Sequence, residues 1–192
     1  MKKMKKVLLL VLCAALLVGA TIAGTVAYLT SQAEVKNTFT VGHVAITMDE
    51  FDYDDSTANA DRDIANEYKL IPGQTYIKDP LIHVGAQSEN CYLFIQVVNE
   101  ISAIEAEKTI ATQLAENGWV QIGTSNVYYY NQICGKDMHI PTFTQFKVKD
   151  DVKDLSAYAG KTVIVTAYAV QSETFGSAEA AWNATFGAPT NG

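Results

Sequence analysis

The sequence predicts a mainly β protein: an antiparallel jelly-roll or immunoglobulin-like sandwich with two short helices. Most of the chain beyond its N-terminal region alternates apolar and polar residues with the period of two that a half-buried strand requires. Turn-forming residues such as Pro72-Gly73 and Ala159-Gly160 separate these segments at short intervals, and only two stretches show helical spacing. This alternation of strands and turns favours an antiparallel sandwich over an alternating α/β sheet.

About seven strands are expected from this pattern. Gly42 interrupts the first of them, as a β-bulge would allow. Parts of the segments 91–99 and 162–171 are apolar on both faces, so both are predicted to lie centrally, partly covered by helix. The predicted strand segments are 39–41 continuing at 44–48, 76–84, 91–99, 119–122, 126–130, 143–148 and 162–171.

Two helices are predicted from capping signals. Ser102 and Glu105 have the spacing of a capping box, and Asn117-Gly118 supplies a stop after an apolar face that includes Ile110 and Leu114. Ser177 is the expected N-cap of a second helix that ends at Gly187. The apolar face of this second helix is expected to seal one end of the sandwich.

The first 27 residues have the form of a secretory signal peptide. Four lysines precede the apolar run 7–18, and small residues follow it. An uncleaved membrane anchor is the alternative, because the apolar stretch 7–29 is long enough to cross a bilayer. Cleavage after Ala20, Ala23 or Ala27 fits the pattern. The expected mature chain is a single β-sandwich domain, 28–192, with an N-terminal arm at 28–41.

Charge and cysteine content limit the partners and the covalent cross-links. Removal of residues 1–27 takes away four lysines and no acidic residue, so the formal net charge moves from −7 to −11. Nucleic acid and anionic lipid are therefore poor partners, since both favour clustered basic residues. Cys91 and Cys134 remain after cleavage. They could form a disulfide in an oxidising exterior or stay separate thiols.

Two segments near the N-terminus carry a family resemblance. Gly24-Thr25-Val26-Ala27-Tyr28-Leu29-Thr30 and the later run from Asn37 through Phe39-Thr40-Val41-Gly42-His43 to Ile46 resemble the start of the TasA/camelysin family. These are secreted Gram-positive proteins processed by the SipW signal peptidase. More loosely, Ile71-Pro72-Gly73 resembles the Pro-Gly turn of that family. The resemblance implies a jelly-roll-like sandwich, cleavage between Ala27 and Tyr28, and a place in biofilm matrix fibres.

Fibres of that family pass the N-terminal strand of one subunit into the sheet of its neighbour, and the matching arm in this chain is 28–41. Leu29, Val35, Phe39 and Val41 share one parity, so one face of such a strand would be apolar. The alternatives are that this segment pairs within its own sheet or stays a loose terminus. A secreted structural subunit that self-associates or joins other matrix proteins is the expected function.

Enzymatic and cofactor functions have weaker support in the sequence. A camelysin-like metalloprotease would need clustered zinc ligands, whereas His43, His83 and His139 lie forty or more residues apart and are expected to be ordinary surface or edge histidines. No catalytic residue and no cofactor is expected. Calcium is the one weak candidate, through Asp52, Asp54 and Asp55 in an acidic segment that is more simply a solvated loop.

A monomeric surface- or carbohydrate-binding module on the same fold is the alternative function. In Tyr128-Tyr129-Tyr130, Tyr128 and Tyr130 fall on one sheet face and Tyr129 on the other, so one side could be exposed. Packing in the core or across strands is the commoner fate of such tyrosines.

Overall fold

The computed structural model describes residues 43–53 and 62–189, together with Met4, Lys6, Leu12 and Cys13. The chain divides into two compact units, Met1–Thr40 and Val41–Gly192, and the elements below all belong to the second. The predicted signal peptide, its cleavage site at Ala27 and Tyr28, and the arm residues Leu29, Val35, Phe39 and Val41 lie outside the described residues.

The mainly β antiparallel fold is confirmed. The described residues form two four-stranded sheets, ordered β2-β1-β4-β8 and β10-β5-β7-β6, and a two-stranded pair β3-β9. Every pairing is antiparallel. The strands are β1 Ile46–Phe51, β2 Arg62–Asp63, β3 Thr75–Ile77, β4 Leu81–Val84, β5 Cys91–Asn99, β6 Trp119–Gln121, β7 Val127–Tyr130, β8 His139–Pro141, β9 Gln145–Lys147 and β10 Val163–Gln171.

The sheets share one hydrophobic core, which makes the arrangement sandwich-like. Strand alternation directs Ile82 and Val84 of β4 inward from the first sheet and Leu93, Ile95 and Val97 of β5 inward from the second, and all are buried. Tyr76 of β3 stacks on Phe146 of β9 with ring centroids 5.0 Å apart, which joins the small pair to the same core. The finer assignment to a jelly-roll or immunoglobulin-like strand order stays a prediction.

The prediction of the first helix was wrong in its start. Ser102–Ile104 is a 3₁₀ turn, and the helix α1, Ile110–Glu116, begins after Thr109, whose hydroxyl accepts a hydrogen bond from the amide of Thr112 at 3.2 Å. Tertiary contacts prevented the capping box. Glu105 accepts a hydrogen bond from Asn99 at 3.2 Å and forms a β-bridge with Val148, so its side chain cannot return to Ser102. The stop at Asn117-Gly118 is confirmed.

The second helix, α2 (Ala178–Phe186), has the predicted caps. The Ser177 hydroxyl accepts from the amide of Ala180 at 3.2 Å, and Gly187 ends the helix with φ of 85°. Its predicted position was wrong. Trp182 packs on Phe94 and Tyr168, whose side chains point away from the shared core, so α2 covers the outer face of the second sheet instead of one end of the sandwich.

Three strand predictions also needed correction. The segment 76–84 is divided by Pro80 into β3 and β4, which belong to different sheets. The strand β8 was missed, because it is short and ends at Pro141. Most importantly, 162–171 was predicted to lie centrally, whereas β10 is the edge strand of its sheet. Its two apolar faces are explained by the core on one side and α2 on the other.

Candidate functional site: an open strand edge and its groove

One side of β10 is fully paired. It runs antiparallel to β5 over its whole length, with Val163 opposite Asn99 and Gln171 opposite Cys91. Just beyond the strand ends, Glu100 donates its amide hydrogen to the carbonyl of Thr162 at 3.1 Å, and Ser172 donates to that of Asn90 at 2.9 Å. These bonds identify the even-numbered residues of β10 as the ones hydrogen-bonded to β5.

The odd-numbered residues of β10 therefore direct their amide and carbonyl groups to the opposite edge. Among the described residues, no strand pairs with that edge. Four of these residues also turn their side chains into the shared core, so the edge borders apolar surface. The outward-bonding residues are Val163, Val165, Ala167, Ala169 and Gln171.

The composition of β10 does not protect this edge. Soluble proteins usually guard an edge strand with lysine, proline, a bulge or short length. β10 has nine residues and contains no charged residue and no proline. Ile164, on the outer face, is 51% exposed. A long, uncharged strand with one edge that no described strand covers is a template for the addition of another strand.

A groove of about 730 Å³ lies beside the first residues of β10. Its walls come from β1, from the start of β10 and from the segment that precedes β10, and apolar side chains form much of the surface. The apolar lining residues include Met48, Leu70, Ile101, Phe146, Leu155 and Val165. The groove therefore offers apolar contacts close to the unpaired backbone of the edge.

Two charged groups of the groove are paired with each other. Lys78 and Glu50 are both buried and form an ion pair of 2.7 Å. Asn66 donates to the second carboxylate oxygen of Glu50 at 3.0 Å, and the Lys78 ammonium lies 5.9 Å from the ring centre of Tyr68. A buried ion pair with these additional partners is typical of a structural role, because each charge is compensated within the fold.

The structure brings the two predicted cysteines together. Cys91 and Cys134 are β-bridge partners that exchange both backbone hydrogen bonds, at 2.8 and 2.9 Å, and both are unbonded and fully buried. Burial raises the pKa of the Cys91 thiol to about 11, and burial followed by the charge of Cys91 raises that of Cys134 to about 12. The two thiols are neighbours but unbonded, so the choice between a disulfide and two separate thiols stays a prediction.

The remaining predicted residues fall in three places. Asp52 follows β1, whereas Asp54 and Asp55 lie outside the described residues, so the calcium hypothesis stays a prediction. Tyr128 and Tyr130 pack against the shared core and Tyr129 against the cluster below α2, so all three tyrosines serve packing.

Sequence reasoning missed one constellation. His83 and His139 are neighbours on β4 and β8, with their Nδ1 atoms 2.6 Å apart, while His43 lies elsewhere. The two histidines are far apart in the sequence, so the sequence did not indicate the contact. Because β8 was not predicted, its register with β4, which places His83 opposite His139, could not be predicted either. Within the described ranges, no group of three or more His, Cys, Asp or Glu side chains is arranged to hold a metal ion.

In the part of the chain that the structure describes, no helix has both the length and the apolar character needed to cross a membrane. Comparison of the chain with protein-family models, with curated proteins and with solved structures finds no match in any of the three.

Proposed function

We propose that the protein is a secreted structural subunit of an extracellular matrix or cell-surface fibre, and that it assembles by strand donation. The arm 28–41 of one copy is the donor, and the open edge of β10 in the next copy is the acceptor. One observation carries the proposal: the nine-residue, uncharged strand β10 has one edge that no described strand pairs with, whereas the other long strand, β5, is paired on both sides.

Donor and acceptor are chemically complementary. The arm presents Leu29, Val35, Phe39 and Val41 on one parity, and the acceptor edge borders the apolar groove and the core-facing residues of β10. An added strand would satisfy the outward amide and carbonyl groups while placing alternate side chains against this surface. The hydrogen bonds would supply affinity and the apolar positions would set the register.

The topology favours donation to a second copy. His43 accepts a hydrogen bond from the amide of Glu89 at 2.8 Å, and the adjacent Asn90 contacts Ser172, so the chain enters the described fold where β10 ends. If the arm of the same chain lay along β10 and ended at residue 42, the arm would run parallel to β10. Parallel pairing is slightly less stable than antiparallel pairing. A strand from another copy is free of this restraint.

The test is the mass of the protein in solution, measured by size-exclusion chromatography with light scattering. Protein that begins at Tyr28 is expected to form large species that grow with concentration. Protein that begins at Gly42 is the matched control and is expected to be a folded monomer. A stable monomer from the longer form at high concentration would contradict the proposal.

A monomeric binding module is the second candidate, because the volume of the groove falls within the range of small-molecule sites. Tyr158 and the Lys78–Glu50 pair would supply the oriented polar contacts. This function predicts a saturable ligand for the monomer that begins at Gly42, detected as localised NMR shift changes at groove residues. Binding that requires only residues of the outer face of α2 would exclude the groove.

A further inference from the structure

We propose that His83 and His139 bind a divalent transition-metal ion, Zn²⁺ or Cu²⁺, through their Nδ1 atoms, with Asp49 as the carboxylate that orients His83. The site lies on the face of the first sheet that points away from the core. The inference is independent of strand donation, because none of the three residues belongs to β10 or to the arm 28–41.

The register of β4 and β8 places the two imidazoles side by side. His83 is directly opposite His139. Val84 donates to the carbonyl of Met138 at 2.9 Å, which identifies the neighbouring pairs as hydrogen-bonded and the histidine pair as non-hydrogen-bonded. Side chains approach most closely at such positions. The two ring centroids are 4.8 Å apart, and the rings are inclined by 77°.

The two Nδ1 atoms converge on one point. At 2.6 Å one ring donates a hydrogen bond from Nδ1–H to the Nδ1 atom of the other, and a cation can take the place of that proton, since two unprotonated nitrogens repel each other. Two metal–nitrogen bonds at a tetrahedral angle would place the nitrogens about 3.4 Å apart. The rings therefore need to separate by less than about 1 Å, which side-chain rotation can provide without a change in the strands.

The other nitrogen of His83 faces a carboxylate, as is usual for a metal-binding histidine. Nε2 is buried and lies 2.8 Å from Oδ2 of Asp49, so a small ring rotation would align the two atoms for a hydrogen bond. The tautomer whose Nε2–H donates a hydrogen bond to the Asp49 carboxylate would leave the Nδ1 lone pair of His83 free for a metal.

Asp49 is itself held in place. Arg62 on β2 contacts the Asp49 carboxylate through Nε and also donates from Nη2 to the Asp49 carbonyl at 3.2 Å. The same guanidinium forms an ion pair of 3.1 Å with Asp79. These contacts hold the Asp49 carboxylate beside His83, which supports the orientation of the imidazole as a metal ligand.

The choice of ion follows from the donors. Imidazole nitrogen suits Zn²⁺ and Cu²⁺ better than Ca²⁺ or Mg²⁺, and Cu²⁺ has the higher affinity of the first two. No third protein ligand is in place among the described residues, so water completes the coordination shell. Solvent has access, because the side chain of His83 is 24% exposed and that of Asp49 is 30% exposed.

The test is isothermal titration calorimetry of ZnCl₂ and of CuCl₂ into the whole chain, treated with chelator and kept in mild detergent. All forms carry Cys13→Ala, so that this exposed thiol does not compete. One ion per chain is expected. His83→Ala and His139→Ala should each lower the affinity more than tenfold, and Asp49→Asn by about 10- to 100-fold.

His43→Ala is the matched control, because it removes the remaining histidine without touching the site, and its affinity should equal that of the parent. Electron paramagnetic resonance of the Cu²⁺ form should show two imidazole nitrogens. If circular dichroism shows that an alanine variant is unfolded, His83→Gln or His139→Gln takes its place. Absence of binding, or unchanged affinity in both folded histidine variants, would overturn the proposal.

Discussion

Glu105 shows how one buried side chain decides local structure at the residue scale. Its side chain contacts Asn99 and the backbone of Ile110, and these contacts replaced the predicted capping box with a 3₁₀ turn. Burial raises its pKa, against the opposing effect of hydrogen bonds from Asn99 and the Ile110 amide. The folded state therefore holds the proton of Glu105 more tightly than the unfolded state does.

This shift predicts a pH-dependent effect of Glu105→Gln. Because the folded-state pKa is raised, ionised Glu105 lowers the free energy of unfolding above that pKa, and the loss is recovered as the pH falls toward the unfolded value. Glu105→Gln is therefore expected to be more stable than the parent by about 1 kcal/mol at neutral pH, with the difference shrinking in acid. Urea unfolding at several pH values measures it.

The control for this experiment is Glu107→Gln, which changes an exposed carboxylate two residues away. It should alter the free energy of unfolding little at any pH. The account of Glu105 would be contradicted if Glu105→Gln were less stable than the parent at neutral pH by an amount that did not change on acidification.

The cysteine pair supports a second prediction at the residue scale. A hydrogen-bonded antiparallel pair holds its Cα atoms about 5.5 Å apart, within the range that a disulfide spans. Protein refolded with a glutathione redox couple is expected to form the Cys91–Cys134 bridge. The bridge should raise the free energy of unfolding by up to about 4 kcal/mol for a loop of this length.

Mass spectrometry after alkylation in denaturant measures the bridge, and the double variant Cys91→Ala/Cys134→Ala is the control whose stability should not respond to reductant. The raised pKa values predict slow thiolate chemistry in the folded state, so the bridge should form during folding. Two alkylated thiols after oxidative refolding would contradict this prediction.

At the scale of elements, the best-predicted segments are those whose own residues contain the whole signal, either a long alternation of apolar and polar residues or a pair of helix caps. The bounds of β5 and β10 agree with prediction to within one residue, because long alternation between turns leaves little freedom. Both caps of the second helix were predicted correctly, because Ser177 and Gly187 act on the backbone of their own helix. The short strand β8 carried too few residues to be recognised.

What the sequence could not supply was the order of the strands. The apolar character of β10 suggested a central strand, yet the sheet ends there. Sheet order depends on contacts between distant segments, and so does the pairing of His83 with His139. Neither the candidate acceptor edge nor the histidine pair could therefore be predicted from local pattern. The apolar residues on one face of the arm 28–41, by contrast, could be read directly from the sequence.

Because the edge of β10 is defined by its register, a single proline can test its role. The amide of Ala167 points to the open edge, so Ala167→Pro should leave the bonds to β5 intact while removing a donor for an added strand. We expect assembly to be lost, with a decrease in the free energy of unfolding of about 1 kcal/mol. Light scattering and urea unfolding measure the two effects.

Thr166→Pro is the matched control for that variant. Thr166 pairs with Gln96 at a hydrogen-bonded position, so proline there should destabilise the monomer by about 3 kcal/mol. If Ala167→Pro still formed the same large species as the parent, β10 would not be the acceptor.

At the scale of the whole molecule, the acidic surface and the open edge act in opposite directions. The net charge of −11 predicted for residues 28–192 opposes association, while the nine-residue strand β10, with one edge unpaired by any described strand, promotes it. Added salt screens the charge. Assembly therefore depends on whether the hydrogen bonds and apolar contacts of one added strand outweigh this repulsion.

Hydrogen exchange of backbone amides, compared between protein that begins at Tyr28 in its assembled state and monomeric protein that begins at Gly42, tests the central claim most directly. The account predicts that assembly slows exchange at the outward-facing amides of β10 in particular. The even-numbered amides, already bonded to β5, should change little. Assembly that left the exchange of Val163, Val165, Ala167, Ala169 and Gln171 unchanged would contradict strand donation to β10.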